Sequence, residues 1–359
     1  MVFSPYNEYW RHLRKITVME LLSVNRVWSF RSIREEEVWD LIEFIASSEG
    51  LSINLSDKIY TMTSDFRGSI CEHKMKRKAS NNTNGDERDL VGMLLNYEEA
   101  NKPEFHLTTN QIKVVAMGRP DIYFAGTESF ATTIEWELSE LLRNLRVMEK
   151  AQSEDIFSAG SETSATTVEW AMSELLKNPR VMEKVQSEVR QVFEGKNKIE
   201  EEDVQKLHYL KLVMKETFRL HPPGPLIPRE ARERCEIGGY TIPAKAKILI
   251  NAYAIGRDPK LWADPECFQP ERFQGSSIDF KGNNFELLPF GAGRRIFPGI
   301  SFATSNIELG LAQLLYHFNW NLPNGTKLEA LDMADNFGIT ARRKNNLHLI
   351  ATTYIPFNK

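Results

Sequence analysis

The chain has 359 residues, of which 42% are hydrophobic and 26% charged, and its net charge is −4. This composition allows one large core or two smaller ones and excludes the strongly basic balance of a nucleic-acid-binding protein. Its three cysteines lie far apart without a CxxC pair, so neither a disulfide framework nor a zinc site is expected. No apolar run reaches the ~20 residues that span a bilayer, so the chain is expected to be soluble or peripheral.

The N-terminal region predicts helix. Residues 6–49 contain neither Gly nor Pro, and a break is expected near Ser32, which forms a capping-box pattern with Glu35. The apolar residues after this box fall on one helical face, which predicts a packed helix; they are Val38, Leu41, Ile42 and Ile45.

Two side-chain pairs precede that helix. Trp10 and Arg14 are four residues apart and are therefore neighbours on a helix surface. Arg11 and Lys15 form a second, basic pair on a different face. From the residues alone, this segment is an ordinary amphipathic helix with a solvated basic side.

The next segment predicts a short helix over residues 52–70. A basic run then passes into a polar stretch, which is typical of a solvated helix end followed by a flexible loop over residues 79–88.

An internal repeat follows the loop. Residues 121–154 and 155–188 are roughly two-thirds identical at a period of about 34 residues. A tetratricopeptide scaffold has this period, but two copies without its Trp-Leu-Gly-Tyr pattern do not make a solenoid. A tandem duplication of one segment explains the pair better.

Each copy contains a small-residue pair followed by an acid and an alcohol. The first copy has Ala125-Gly126-Thr127-Glu128-Ser129, and the second has Ala159-Gly160-Ser161-Glu162-Thr163. A small pair lets a helix widen and a ligand approach, and an acid with an alcohol can relay protons, although helix packing explains small residues equally well. We expect the second copy to be the working one, because Pro179 ends its helix on time whereas the first copy has Leu145 there.

The remaining elements alternate helix, strand and turn. Glu216 and Arg219 are three apart on a predicted helix, and the segment Pro270-Glu271-Arg272-Phe273 follows downstream. Residues 237–251 predict small β-strands, and residues 341–355 predict a closing hairpin strand. His221, within Leu-His-Pro-Pro, is expected to be structural.

A glycine-rich turn occupies Glu286 to Ile300. Gly291 and Gly293 permit positive φ and a close backbone approach, and Arg295 offers a guanidinium to an acidic group. Pro298-Gly299 then opens a long apolar helix predicted over residues 300–320. By itself such a turn is most simply a helix-entry loop.

The spacing within this turn resembles the haem-binding loop of the cytochrome P450 superfamily. Phe290, Gly293, Arg295 and Gly299 stand at the family's motif positions, but Phe297 stands where the family has the cysteine whose thiolate binds iron. A phenyl ring has no lone pair to give a metal, so no metal ligand is expected there. Three further features also match the family: the Glu216 and Arg219 pair, the segment from Pro270 to Phe273, and the small-residue pair followed by an acid and an alcohol in each copy of the repeat.

The resemblance implies roles for individual residues. It implies haem b as cofactor, contacted by Trp10, Arg14, Arg229, Phe290, Gly293, Arg295 and Gly299. It implies that Ala159, Gly160, Glu162 and Thr163 serve oxygen binding and proton delivery. A charge network is implied for Glu216, Arg219 and Arg272, and substrate contacts for Pro225, Leu226, Ile227, Phe337 and Ile339.

The resemblance further implies a mainly α fold with a small β-lobe, here incomplete, because the N-terminal region and the F–G helices that roof the substrate pocket are missing. It implies a haem-dependent monooxygenase of apolar, terpenoid-like molecules on the cytosolic face of the endoplasmic reticulum. Electrons would come from NADPH–cytochrome P450 reductase docked near Arg11 and Lys15. Because Phe297 removes the ligand, we expect a non-catalytic remnant or a haem-free interaction protein.

Overall fold

A computed structural model describes residues 10–11, 14–15, 17–79, 162–196, 199–337 and 340–354. The chain divides into two compact units, one of Met1–Ser23 with Cys71–Ala159 and the other of Val24–Ile70 with Gly160–Lys359. In the first unit, short helical stretches at residues 10–11 and 14–15 precede a π-helix at Thr17–Leu21. The first copy of the repeat lies outside the described residues.

Helices form most of the second unit, and one of them continues beyond it. In chain order they are α1 (Val24–Ser29), α2 (Arg31–Ser47), α3 (Leu55–Ala79), α4 (162–177), α5 (Pro179–Val192), α6 (Glu201–Val204), α7 (His208–Leu220), α8 (Ala252–Ile255) and α9 (Ile300–His317). Short 3-10 turns at Pro270–Phe273 and Gly293–Arg295 precede α9.

The strands form small antiparallel sheets. They are β1 (Ser52–Asn54), β2 (Leu226–Glu230), β3 (Cys235–Ile237), β4 (Tyr240–Ile242), β5 (Lys247–Asn251), β6 (Phe318–Asn321), β7 (Asp335–Phe337), β8 (Ala341–Arg343) and β9 (His348–Thr353). Strand β9 lies between β1 and β6, while β2 pairs with β5, β3 with β4 and β7 with β8. This architecture confirms the predicted mainly helical fold with a small β-lobe.

The core lies where α4 and α9 are surrounded by their neighbours. Every residue of α9 from Asn306 to His317 is buried, and α4 is buried from Ser164 to Leu176. Helix α9 faces α3 at Gly310, where a Cβ would make an ordinary van der Waals contact of 3.6 Å with the Met62 methyl group. Helix α2 adds the predicted face of Val38, Leu41, Ile42 and Ile45, all buried. No helix among the described residues is long and apolar enough to cross a membrane.

The predicted capping box is wrong. Helix α2 begins at Arg31, its N-cap is Phe30, and no side chain caps it. Ser32 is therefore already inside the first turn. Glu35 accepts a hydrogen bond from the Arg31 guanidinium at 2.8 Å and another from the Glu201 backbone N–H at 3.0 Å, so its carboxylate joins α2 to α6 instead of capping.

Several element boundaries also differ from prediction. The segment predicted as helix over 52–70 starts with strand β1, and its helix continues to Ala79, the first residue of the predicted loop; residues 80–88 lie outside the described range. The apolar run after residue 300 leaves its helix at Phe318, because residues 318–321 pair with β9. The strands within 341–355 do not pair with each other, since β8 joins β7 and β9 joins β1 and β6.

Candidate functional site

The glycine-rich turn is a compact loop that delivers the chain to α9. Gly291 and Gly293 have φ of 72° and 67°, in the left-handed region that favours glycine. Two backbone hydrogen bonds hold the loop, from Gly291 N to Leu288 O at 3.1 Å and from Phe297 N to Phe290 O at 2.9 Å. Gly299 is buried as the N-cap of α9. The predicted turn before a helix is therefore present.

Aromatic rings support this turn from the core side. The Phe290 ring meets Phe218 of α7 and Phe280 edge-on, with centroids 5.2 and 5.6 Å apart. The Phe297 ring lies nearly parallel to that of Phe290, at 15° and 6.2 Å, and is half-buried. The side chain at the predicted axial-ligand position is thus packed into an apolar cluster.

A guanidinium from β2 reaches the same turn. A Cβ on Gly291 would lie only 3.2 Å from Arg229 Nη2, so glycine at 291 makes room for this arginine. Arg229 Nη1 donates to the carbonyl of Pro228 at 2.8 Å. Burial, and then the nearby Arg295 cation, lower the pKa of Arg229. The Arg229 guanidinium therefore lies against the turn at Gly291, and the charge of Arg295 acts on it.

The three residues predicted as a charge network meet beneath the turn. Arg219 Nε and Nη2 each donate to the Glu216 carboxylate at 2.8 Å, and Arg272 Nε donates to the same carboxylate at 2.9 Å. The backbone N–H of Gln269 adds a further donor at 2.7 Å. All of these charges are buried or nearly so, and the network joins α7 to the segment before the turn.

Helix α4 carries the described part of the predicted proton relay. The Glu162 carboxylate is engaged by Arg342 of β8, with Nε at 3.0 Å and Nη2 at 2.5 Å. The backbone carbonyl of Thr163 accepts from the Thr167 hydroxyl at 2.9 Å. Ala159 and Gly160 lie outside the described residues. Sequence analysis did not anticipate Arg342, which lies 180 positions along the chain from Glu162.

His221 lies in a buried polar cluster whose contacts the sequence analysis did not predict. The His221 ring stacks on Trp170 of α4 at 3.9 Å and 8°, and its Nε2 lies 2.7 Å from Glu174. Its Nδ1 lies 3.9 Å from Asp335 Oδ1, and Trp170 Nε1 donates to Ala341 O at 3.0 Å. The structural role predicted for His221 thus takes the form of a link from α7 to α4 and towards β7. The i, i+4 spacing of Trp170 and Glu174 places both side chains on one face of α4, and this was the sequence signal that a common partner could have been expected there.

A family model described as Cytochrome P450 matches residues 70–155 and 150–350. Melianol synthases of Ailanthus altissima and Citrus sinensis are each 54% identical to the chain, covering 100% of it and 75% and 76% of their own lengths. Cytochrome P450 71D10 of Glycine max is 46% identical over 99% of the chain and 75% of its own length.

The chain belongs to the cytochrome P450 family. The alignment with the Ailanthus relative runs over 424 positions, whereas this P450 has 359 residues, so the relative carries stretches inside the aligned range that are missing here. This agrees with the prediction that part of the family fold is missing within the chain. The two family-model matches overlap at residues 150–155, where the copies of the repeat join.

Haem is the cofactor that the P450 family implies, and this site fits it only in part. Arg229 and Arg295 are cations of the kind that suits the carboxylates of a porphyrin, and glycine at 291 lets the Arg229 guanidinium lie against the turn. Iron ligation does not fit, because Phe297 offers no donor atom and its ring is packed on Phe290. Cys267 is exposed, and its carbonyl accepts hydrogen bonds from Arg219 and Arg272 in the buried network.

The residues predicted to contact substrate lie on or beside β2 and β7 of this P450. Leu226 and Ile227 belong to β2, and the carbonyl of Pro225 accepts a hydrogen bond from Tyr253 N at 3.3 Å. Phe337 ends β7, and Ile339 lies outside the described residues. In the first unit, the Arg14 guanidinium lies 5.6 Å from the Trp10 ring centroid, which is the predicted neighbour relationship.

Proposed function

We propose that this chain has the architecture of a P450 that oxidises terpenoids or similar apolar molecules but does not carry out the monooxygenase reaction. The melianol synthase relatives support the substrate class. One observation carries the loss of activity: Phe297 stands at the ligand position and its ring is packed on Phe290. In the family, haem supplies the redox chemistry, and its axial thiolate favours O–O cleavage.

Other parts of the family machinery are retained or altered to different degrees. The buried network of Glu216, Arg219 and Arg272 supports a folded scaffold beneath the turn. Arg342 holds the Glu162 carboxylate, so delivering a proton from Glu162 requires this ion pair to break. We propose that the exposed basic pair Arg11 and Lys15 is the docking point for NADPH–cytochrome P450 reductase at the endoplasmic reticulum.

The test is the spectrum of the reduced protein under carbon monoxide. We expect no thiolate-type Soret band from the chain reconstituted with haem, because no sulfur stands at position 297. A clear thiolate band would show that another sulfur, such as that of Cys267, reaches the iron and would refute the proposal. Complete absence of haem absorption would favour the alternative of a haem-free interaction protein.

The matched experiment introduces a thiolate at position 297. Phe297→Cys should produce a thiolate band with partial haem loading, because stretches present in the relatives are still absent. Phe285→Cys is the control, since Phe285 lies near the turn and is 70% exposed. A band of equal strength from both variants would mean that position 297 is not the ligand site. Full loading with turnover of an apolar substrate would show that the missing stretches matter little.

A further inference from the structure

Strands β2 and β5 form a sheet of two strands within the described part of the chain, so each strand has an outer edge. The Ala231 N–H donates across this sheet to the Ala246 carbonyl at 2.9 Å. In an antiparallel pair, the residues whose N–H and C=O groups face the other strand alternate with residues whose groups face away. The register therefore directs the backbone groups of Lys247, Leu249 and Asn251 towards the outer edge of β5.

The outer edge of β2 is blocked at its centre. By the same alternation, Leu226, Pro228 and Glu230 are the residues of β2 that face outward. Proline has no N–H to donate, and the carbonyl of Pro228 already accepts a hydrogen bond from Arg229 Nη1 at 2.8 Å. Proline at such a position is typical of an edge strand that stays unpaired. Any further strand must therefore add to the sheet at β5.

The outer edge of β5 is open and has an apolar residue at its centre. Leu249 is 63% exposed, and among the described residues no backbone group outside β2 bonds to Lys247 or Leu249. A lysine on an edge strand usually discourages pairing. Here Lys247 forms an ion pair with Glu230 on the neighbouring strand, so its charge is already matched within the chain. The edge of β5 is therefore a template on which a strand can pair.

We propose that two molecules of this chain pair through β5, antiparallel to each other, about a two-fold axis at Leu249. In this register Leu249 lies opposite Leu249 of the partner subunit, and Lys247 lies opposite Asn251 of the partner subunit, so no like charges meet. The product is a four-stranded sheet in the order β2-β5-β5-β2, with Pro228 on both outer edges. Assembly therefore stops at the dimer. This inference is independent of haem binding and of the proposed function.

The experiment is sedimentation velocity of the full chain in reducing buffer, at concentrations from about 5 to 200 µM. We expect a monomer–dimer equilibrium with a dissociation constant on the order of 10 µM, because a single strand pair buries less surface than a permanent interface. A chain that stays monomeric over this range would overturn the proposal. Growth beyond the dimer would also overturn it, since the outer edges would then not be blocked.

Variants place the contact on β5. Leu249→Lys brings two like charges together at the two-fold axis and should weaken the dimer by at least about tenfold. Leu226→Lys is the matched control, because Leu226 is 48% exposed on the same face of the sheet but lies on β2; this change should leave the dimer intact. Equal weakening by both changes would overturn the proposal. If Leu249→Lys does not fold, as judged by circular dichroism, Leu249→Pro replaces it, since it removes an N–H that faces away from β2.

Cross-linking tests the position of the axis. Leu249→Cys should give a disulfide-linked dimer with copper phenanthroline as oxidant, because directly opposed residues of an antiparallel pair have Cα atoms about 4.5–5.5 Å apart, within the span of a disulfide. Leu226→Cys is the control, and it also reports any cross-linking through the exposed native residues Cys235 and Cys267. Dimer yields that are equal in the two variants would overturn the proposed register.

Discussion

Among single residues, Glu216 has the most demanding environment in the described structure. Its carboxylate is fully buried and accepts hydrogen bonds from two arginines and one backbone N–H. These donors compensate for the loss of hydration, and removing one leaves buried charge without a partner. The stability of the region beneath the turn therefore depends on all of them being present.

Arg272→Ala should lower the free energy of unfolding by about 3–5 kcal/mol, because it removes one cation from a buried network. Urea denaturation followed by circular dichroism measures the change. Lys247→Ala is the control, since Lys247 and Glu230 form an ion pair with 81% and 49% exposed side chains; its effect should stay below about 1 kcal/mol. Similar losses in both variants would show that the network is not a major source of stability.

Residues in short motifs could be predicted from the sequence, and residues paired across the fold could not. Glu216 and Arg219 are three apart on one helix, so their contact follows from local geometry. Arg342 meets Glu162 because β8 lies beside α4, and nothing in the sequence around either residue indicates this. The contact of Arg229 with Gly291 likewise depends on where β2 lies relative to the turn.

Among the elements, α9 carries two buried titratable groups with opposite effects on stability. Burial raises the pKa of Glu308 to about 7, with a smaller contribution from Glu201, while Lys211 acts against it. Burial lowers the pKa of His317 to about 4. In the folded protein Glu308 therefore keeps its proton to a higher pH than an ordinary glutamate. His317 stays unprotonated down to a lower pH than an ordinary histidine.

The two shifted pKa values change the pH dependence of the free energy of unfolding in opposite directions. Between about pH 4.5 and 7 the folded state keeps the Glu308 proton that the unfolded state releases, so this group removes stability as pH rises through that window. His317 does the reverse, because its contribution is complete above about pH 6.5 and is lost as pH falls towards 4. The two slopes oppose each other between about pH 4.5 and 6.5.

Glu308→Gln should therefore give a free energy of unfolding that rises more steeply with pH than that of the unmodified chain. The difference in slope should approach about 1.4 kcal/mol per pH unit. Urea titrations at intervals between pH 5 and 7 measure it. Glu236→Gln is the control, because Glu236 is exposed on β3 and the substitution removes the same charge. Parallel pH profiles for Glu308→Gln and the unmodified chain would contradict the assigned burial effect.

The presence of a helix could be predicted where an apolar pattern was long, as in α2 and α9, but the residues at which each helix begins and ends could not. The capping-box pattern at Ser32 failed because the Glu35 side chain was recruited by Arg31 and by the Glu201 N–H. The end of α9 at His317 is fixed by a partner strand, since β6 pairs with the distant β9. Local sequence contains neither partner.

At the scale of the whole molecule, the duplicated segment raises the question of which copy fills the core. The structure describes part of the second copy, including Trp170, whereas Gly126 and Trp136 of the first copy and Gly160 of the second lie outside the described residues. Sequence positions add an argument. Ser164 and Ala171 are fully buried, and their counterparts in the first copy are Phe130 and Glu137. The second copy therefore remains our prediction for the central position.

Deleting either copy leaves one in frame, so the two deletions can be compared directly. A chain without residues 121–154 should be more stable than one without residues 155–188, because the latter would place Glu137 and Phe130 at buried positions. Burying a charge and overpacking should together cost several kcal/mol, on the order of 3 or more. Thermal unfolding measures the difference. Equal stability, or the reverse order, would mean that the first copy fits the core.

The pairing of β1 with β9 has a consequence for how the protein is made. Ser52, near the start of the second unit, lies opposite Ile350, and β6 completes the sheet on the other side of β9. During synthesis on the ribosome, neither β1 nor β6 can pair with β9 until β9 has emerged. The sheet therefore closes only after β9 has been translated, and until then its unpaired strands are substrates for chaperones.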